Sequence, residues 1–317
     1  ATAGPLGPER SIRFLVIGGE KLADLRSALM ERTGKPPVPH YNAMGVWGTA
    51  LRSTSETDFR ERISYLKNNV PGLSGLVIPQ EVDPAVLLPT AKALNLRLMV
   101  EESAYLPQQY PHYTDLAQRS FLVRQGSPGG PISVVNHLNE PSAIIDFSSN
   151  SAAAFWHSLE RVKLVAEGIS SFRLTDGDLP ETSPEGWYQG PPDGNIHSHY
   201  AWNNLFSLKW QEGVVKSVAT QRLRYRPRLF LMVNNGLAGL TRLCGSLYNS
   251  HGSLFVSRSV LAARTHLALA GVDYFSSDIT HNLPAWPVEQ NASMYDSWPA
   301  KSCRNDIPLV PPEEMVL

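Results

Sequence analysis

Ser171-Phe172-Arg173-Leu174-Thr175-Asp176-Gly177-Asp178 is the stretch on which the reading of the fold turns. Its first half is a short apolar run of strand character, and Thr-Asp-Gly-Asp is a good turn sequence. An amphipathic segment, Ala152 to Glu167, precedes it, and another, Tyr200 to Thr220, follows. The same alternation extends outward. Strand-like runs occur at Met44 to Leu51, Gly75 to Pro79, Arg97 to Val100, Leu229 to Val233 and Tyr274 to Phe275. Helical patterns occur at Glu56 to Asn68, Pro84 to Leu94 and Ser253 to Ala270. Strand and helix in alternation imply parallel strands joined by crossover helices. At 317 residues the expected fold is α/β, a (β/α)8 TIM-type barrel, in preference to an open doubly wound sheet. No Gly-x-Gly-x-x-Gly follows the first strand, which removes support for a dinucleotide-binding sheet. The barrel is expected over residues 44–280, after a lead-in segment at 1–43 and before an irregular, Pro-rich segment at 281–317. No eighth strand is recognisable, so the barrel is expected to be incomplete at its C-terminal end.

The composition narrows function. With 42% hydrophobic and 18% charged residues the chain has the balance of a folded globular protein. Lys+Arg 28 against Asp+Glu 29 gives a net charge of -1, too little positive charge for nucleic acid to be an expected partner. No apolar run reaches the ~18 residues that cross a bilayer, so no membrane span is expected in this chain. The N-terminus lacks Met and a charged-then-apolar pattern, and reads as a trimmed chain. Two cysteines, Cys244 and Cys303, make neither a disulfide framework nor a four-thiolate zinc site, and whether they pair stays open. His197 and His199 have metal-ligand spacing but no third ligand nearby, and a helix-start role is the better reading. Neither metal nor cofactor is expected. Asn291-Ala292-Ser293 is a glycosylation sequon and points to the secretory route.

In a barrel, function sits at the carboxyl ends of the strands. Those ends carry Gln80 and Glu81, Glu101 and Glu102, Asp176 and Asp178, Asn234 and Asn235, and Asp278. Acidic groups at several strand ends suit a site that holds sugar hydroxyls. Glu101 and Glu102 read either as ligand contacts or as a solvated pair at the mouth. Asn139-Glu140-Pro141 reads as a loop. Trp47 and Trp156 sit where packing is the default for an indole, though sugar faces also stack on such rings, whereas Trp286 and Trp298 are freer to line a groove.

The order of segments resembles glycoside hydrolase family 31, the α-glucosidase and α-xylosidase family. Phe14 to Gly19, Thr33-Gly34-Lys35-Pro36-Pro37 and Ala43-Met44-Gly45-Val46-Trp47 look like the family's approach to its barrel. Ala143-Ile144-Ile145-Asp146-Phe147 with Phe155-Trp156 is similar to its Pro-Asp-Phe segment and Trp-Trp helix. Ser171 to Asp178 looks like its nucleophile strand, and His199-Tyr200 opens a helix as its His-Asn-x-Tyr does. Gly236-Leu237-Ala238-Gly239-Leu240-Thr241-Arg242 resembles Gly-Phe-Ala-Gly-Ser-Gln-Arg, and Ser277-Asp278-Ile279 resembles Ala-Asp-Ile. The resemblance implies that residues 1–43 lead in from a β-sandwich domain. It also implies retaining hydrolysis of α-glycosidic bonds, with Asp176 in the nucleophile position and Trp47, Glu101, Asp178 and Asp278 as ligand-binding candidates.

The departures are specific. The family's acid/base Asp falls at Ser250, and no Asp or Glu lies between Arg242 and Arg258. A hydroxyl is a poor acid, and loss of general acid help costs about 10² to 10⁴ in rate. Ile78-Pro79-Gln80 replaces acidic sugar contacts, and Val233-Asn234-Asn235 replaces Ser-Arg-Ser. Two readings follow. In the first, the barrel has lost efficient hydrolysis, a pseudoenzyme binding a carbohydrate or protein partner or serving structure. In the second, it is a working α-glycosidase with Asp176 as nucleophile and Glu140 or Asp278 as an unrecognised acid.

Overall fold

The computed structural model describes residues 16–49, 56–80, 82–137, 139–177, 185–190, 199–220, 228–234, 240–243, 245–249, 265–269, 271–272 and 274–277. In chain order the strands are β1 (Val46–Thr49), β2 (Leu73–Pro79), β3 (Arg97–Ser103), β4 (Tyr105–Pro107), β5 (Arg124–Gln125) and β6 (Val134–His137). They continue as β7 (Glu140–Ile144), β8 (Ser171–Thr175), β9 (Gly186–Trp187), β10 (Phe230–Val233), β11 (Gly245–Asn249) and β12 (Phe275–Ser277). The helices are α1 (Leu22–Thr33), α2 (Glu56–Asn69), α3 (Pro84–Ala93), α4 (Tyr113–Gln118), α5 (Asn150–Ala166) and α6 (His199–Thr220).

Seven parallel strands form the main sheet in the order β1-β2-β3-β8-β10-β11-β12. Among the described residues β12 and β1 do not pair, so the curled sheet is an incomplete barrel. Side chains alternate along each strand. Leu98 and Val100 of β3, Phe172 and Leu174 of β8, and Leu231 and Val233 of β10 pack outward into the main core beneath the helices. Val77, Met99, Phe230 and Met232 form a separate small cluster on the lumen side, with Trp47 against it. Gly75 pairs with Trp47 across β1 and β2, and a Cβ there would lie 2.4 Å from the indole, so the bulk of Trp47 requires glycine at that point.

The helices follow from local sequence. Asp83 caps α3 by accepting the Ala85 N–H at 3.0 Å, with Pro84 at the first helical position. Ser149 caps α5 through the Ala152 N–H. Its buried face, Ala152, Trp156, His157, Arg161, Leu164 and Val165, keeps helical spacing. Four of the five helical patterns placed by periodicity coincide with α2, α3, α5 and α6; the fifth, Ser253 to Ala270, is helical at 265–269, and its other residues lie outside the described ones.

The connection from β3 to α5 is the main elaboration. It folds into a three-stranded antiparallel sheet, β4-β7-β6, and its β5 pairs antiparallel with β9 from the chain beyond β8. Glu140 therefore begins a strand in a tight hairpin, with Asn139 at φ 66°, and the loop reading of Asn139-Glu140-Pro141 is corrected. Asp146 fastens the elaboration to the chain beyond β8. Its carboxylate accepts the Ser148 N–H at 3.0 Å and the Gln189 N–H at 2.6 Å, and also the Ser148 hydroxyl. The Ser148 hydroxyl oxygen in turn accepts the Gly190 N–H at 2.9 Å. Burial raises the Asp146 pKa above the usual carboxylate range, opposed by these hydrogen bonds.

Candidate carbohydrate site at the barrel mouth

Asp176 lies one residue past the carboxyl end of β8, with φ at 60°. An L-residue pays for that left-handed backbone, and Asp tolerates it better than most. The side chain is 29% exposed. Ser103, the last residue of β3, donates its hydroxyl to Asp176 Oδ2 at 2.7 Å. The same Ser103 oxygen accepts the Tyr105 N–H at 3.1 Å, which directs its proton to the carboxylate. His137, at the tip of the β6–β7 hairpin, brings Nε2 to 3.7 Å from Oδ2. Its ring stacks on Tyr105 with centroids 4.2 Å apart. The hairpin thus delivers an imidazole to a carboxylate 39 positions away in sequence (176 − 137).

The rims of β3 and β8 are stitched together beneath this cluster. Ser103 and Thr175 are register partners, Thr175 Oγ1 donates to the Glu102 carbonyl at 3.1 Å, and the Ala104 N–H reaches the Thr175 carbonyl at 3.2 Å. Glu101 forms an ion pair with Arg173 at 3.2 Å between neighbouring strands. Glu102 is 1% exposed and faces α5, where one of its oxygens accepts from Arg161 Nη2 at 2.7 Å. Its other oxygen lies against Nη1 without hydrogen-bond geometry. Arg161 in turn lies 4.0 Å above the Phe172 ring. Glu102 is therefore neither a ligand contact nor a solvated mouth residue, which corrects both readings of that position.

The expected site residues separate by layer. Asp176 is at the mouth and Glu101 just below it. Trp47 is in register with Gly75, itself paired with Arg97 at the start of β3, so Trp47 belongs to the bottom of the barrel. Asp178 and Asp278 lie outside the described residues, as do Ser250, His251, Trp286, Trp298, Asn291, Cys244 and Cys303. Gln80 donates its amide to the Tyr110 hydroxyl at 3.0 Å, and that hydroxyl donates to Glu160 at 3.0 Å. Glu140 accepts from Gln109 at 2.8 Å. Asn234, past the end of β10, has a buried Oδ1 with no hydrogen-bond partner among the described residues, and a Cβ on Gly177 would come 3.9 Å from that oxygen. Among the described residues no group of three or more His, Cys, Asp or Glu is placed to hold a metal ion. No described helix is long and apolar enough to cross a membrane.

Ser103, Tyr105 and His137 were not legible in the sequence as site residues. Ser103 follows from the β3–β8 register, whereas His137 depends on a hairpin whose strands are only four and five residues long.

Parallel strands joined by crossover helices, with Asp176 beside a hydroxyl and an imidazole at the strand ends, define a (β/α) barrel. The glycosyl hydrolases family 31 TIM-barrel domain matches residues 79–298, more than half of the chain, and the chain belongs to that family. Among solved structures, an α-xylosidase from a soil metagenome, complexed with xylose, superposes with a TM-score of 0.69 at 16% identity. The match covers 82% of this chain and 40% of that one. A Flavobacterium johnsoniae dextranase complexed with glucose gives 0.68 at 15% identity, covering 82% and 35%. An uncharacterized protein of Listeria monocytogenes EGD-e, in complex with glucose, magnesium and calcium, gives 0.69 at 16% identity, covering 86% and 29%. The chain thus spans less than half the length of each of these proteins.

Proposed function

We propose that the mouth of this barrel binds a carbohydrate against Asp176 without hydrolysing ordinary α-glycosides efficiently. The observation that carries this reading is the engagement of the carboxylates. Among the described residues Glu101 is paired with Arg173, Glu102 with Arg161 and Glu140 with Gln109, while Asp176 faces a hydroxyl and an imidazole. Retaining hydrolysis needs a second carboxyl group roughly 5 Å from the first, across the scissile bond. Sugar hydroxyls, by contrast, need only fixed acceptors and donors. Asp176, His137 and the Asn234 oxygen, which has no partner among the described residues, supply these at the strand ends. Neighbours of the same fold are complexed with xylose and glucose, which supports the ligand class.

A working α-glycosidase is the second reading, favoured by one feature. The Ser103 hydrogen bond orients the Asp176 carboxylate as an acceptor, as a nucleophile requires. Calorimetric titration with xylose, glucose and isomaltose tests the binding claim. Saturable heat is expected, with affinity falling about tenfold or more in Asp176→Ala. No saturation, or equal affinity in the variant, would contradict it.

A further inference from the structure

At the opposite, N-terminal end of the barrel, α3 and α5 finish side by side in the same way. Asn95 (φ 53°) and Gly168 (φ 100°) take the left-handed position past each helix. The next residues, Leu96 and Ile169, return their N–H groups to Ala91 and Leu164 at 2.8 and 3.0 Å. The two returns feed β3 and β8 and leave a cavity of about 290 Å³ between them, whose lining includes Leu88, Lys92, Asn95, Leu96, Arg97 and Ser170. That volume is near the lower limit of about 300 Å³ for small-molecule sites.

The lining holds two cations and no acid. No carboxylate among the described residues lies within ion-pairing distance of Lys92 or Arg97. Ser170 is 5% exposed, and its hydroxyl has no hydrogen-bond partner among the described residues. The two helix ends oppose an anion, each with about half a negative charge. Lys92 and Arg97 together exceed that sum by roughly one positive charge, and the carbonyls of Thr90, Ala91 and Lys92 on α3 and of Lys163, Leu164 and Val165 on α5 are already bonded. The positive field is felt next door: Arg97 and Arg228, after burial, hold the His40 pKa below its usual value.

We propose that this cavity is an oxyanion site for a small phosphate or sulfate monoester. Lys92 and Arg97 meet the anion, the Ser170 hydroxyl and Asn95 amide complete its hydrogen bonds, and the leucine-lined floor takes the ester's carbon portion. The site is remote from the mouth, so it stands or falls apart from the sugar reading.

Titration with inorganic phosphate, phenyl phosphate and phenyl sulfate, followed by NMR shifts of Gly168 and Ile169 N–H, tests it against sodium chloride at matched ionic strength. Saturable shifts are expected, tighter for the phenyl esters, with affinity reduced about tenfold or more in Lys92→Gln/Arg97→Gln. Vesicles carrying phosphatidic acid form a second arm: binding competed by phenyl phosphate and lost in the same variant would assign the ester to a lipid headgroup. Shifts that follow ionic strength alone, survive in the double variant, or occur with vesicles but not with phenyl phosphate would overturn the proposal.

Discussion

At Asp176 a left-handed backbone and a hydroxyl from the neighbouring strand act together, turning the carboxylate into the mouth while Ser103 fixes one of its oxygens. Asn shares the tolerance of Asp for this backbone, so Asp176→Asn is expected to fold with stability within about 1 kcal/mol of the parent, measured by urea titration. Ser103→Ala removes one hydrogen bond to a charged group and is expected to weaken sugar affinity by about 1.5 kcal/mol, roughly tenfold. A larger change in stability than in affinity would make Ser103 a packing residue. The placement of Asp176 at a strand end was readable because Thr-Asp-Gly-Asp follows an apolar run. The His137 contact was not, because a residue's partner across a hairpin is set by register and turn, which Val134 to His137 hardly specifies.

Among the elements, the pairing of β3, β8 and α5 carries the site. Glu102 points outward on β3, Arg161 inward on α5, and both are almost wholly buried. Leaving one charge without its partner there costs about 3–5 kcal/mol, whereas replacing both by apolar groups of similar volume is nearly neutral. Arg161→Met is therefore expected to lose that amount in chemical denaturation, and Arg161→Met/Glu102→Leu to recover most of it. Equal losses in both variants would deny the coupling. Periodicity located α2, α3, α5 and α6 because each has one apolar face. It passed over β11, Gly245-Ser246-Leu247-Tyr248-Asn249, whose strand state comes from β10 and β12 on either side. It also misjudged Glu102, since a charged residue at a strand end looks solvent-facing until the helix behind it supplies an arginine.

For the whole molecule, acid response separates buried groups of opposite sign. His157, between Phe147 and the close approach of Gly213, is 3% exposed, and burial with the Arg161 charge pushes its pKa down to about 2. The unfolded chain takes up a proton below about pH 6.5 that the folded chain refuses, so this group costs about 1.4 kcal/mol of stability per pH unit of further acidification. Asp146 and Glu160, raised chiefly by burial, act the other way: they protonate first in the folded state, and their contribution improves as pH falls through their folded values. Removing the imidazole in His157→Leu is expected to flatten the stability loss between pH 6.5 and 5.5, read by urea titration at each pH. An unchanged slope would assign the acid response elsewhere.

The barrel as a whole was legible because seven parallel strands need crossover helices, and six of the seven announced themselves as apolar runs. What the mouth does depends on which carboxylates remain to do chemistry. Hydrolysis of a panel of aryl α-glycosides and α-linked disaccharides, run beside Asp176→Asn, measures this most directly. Aryl leaving groups need little acid help, so they report on Asp176 separately from any general-acid partner. No turnover of the disaccharides by folded protein is the predicted result. Turnover of both substrate classes, abolished in Asp176→Asn, would contradict the account and establish a retaining α-glycosidase.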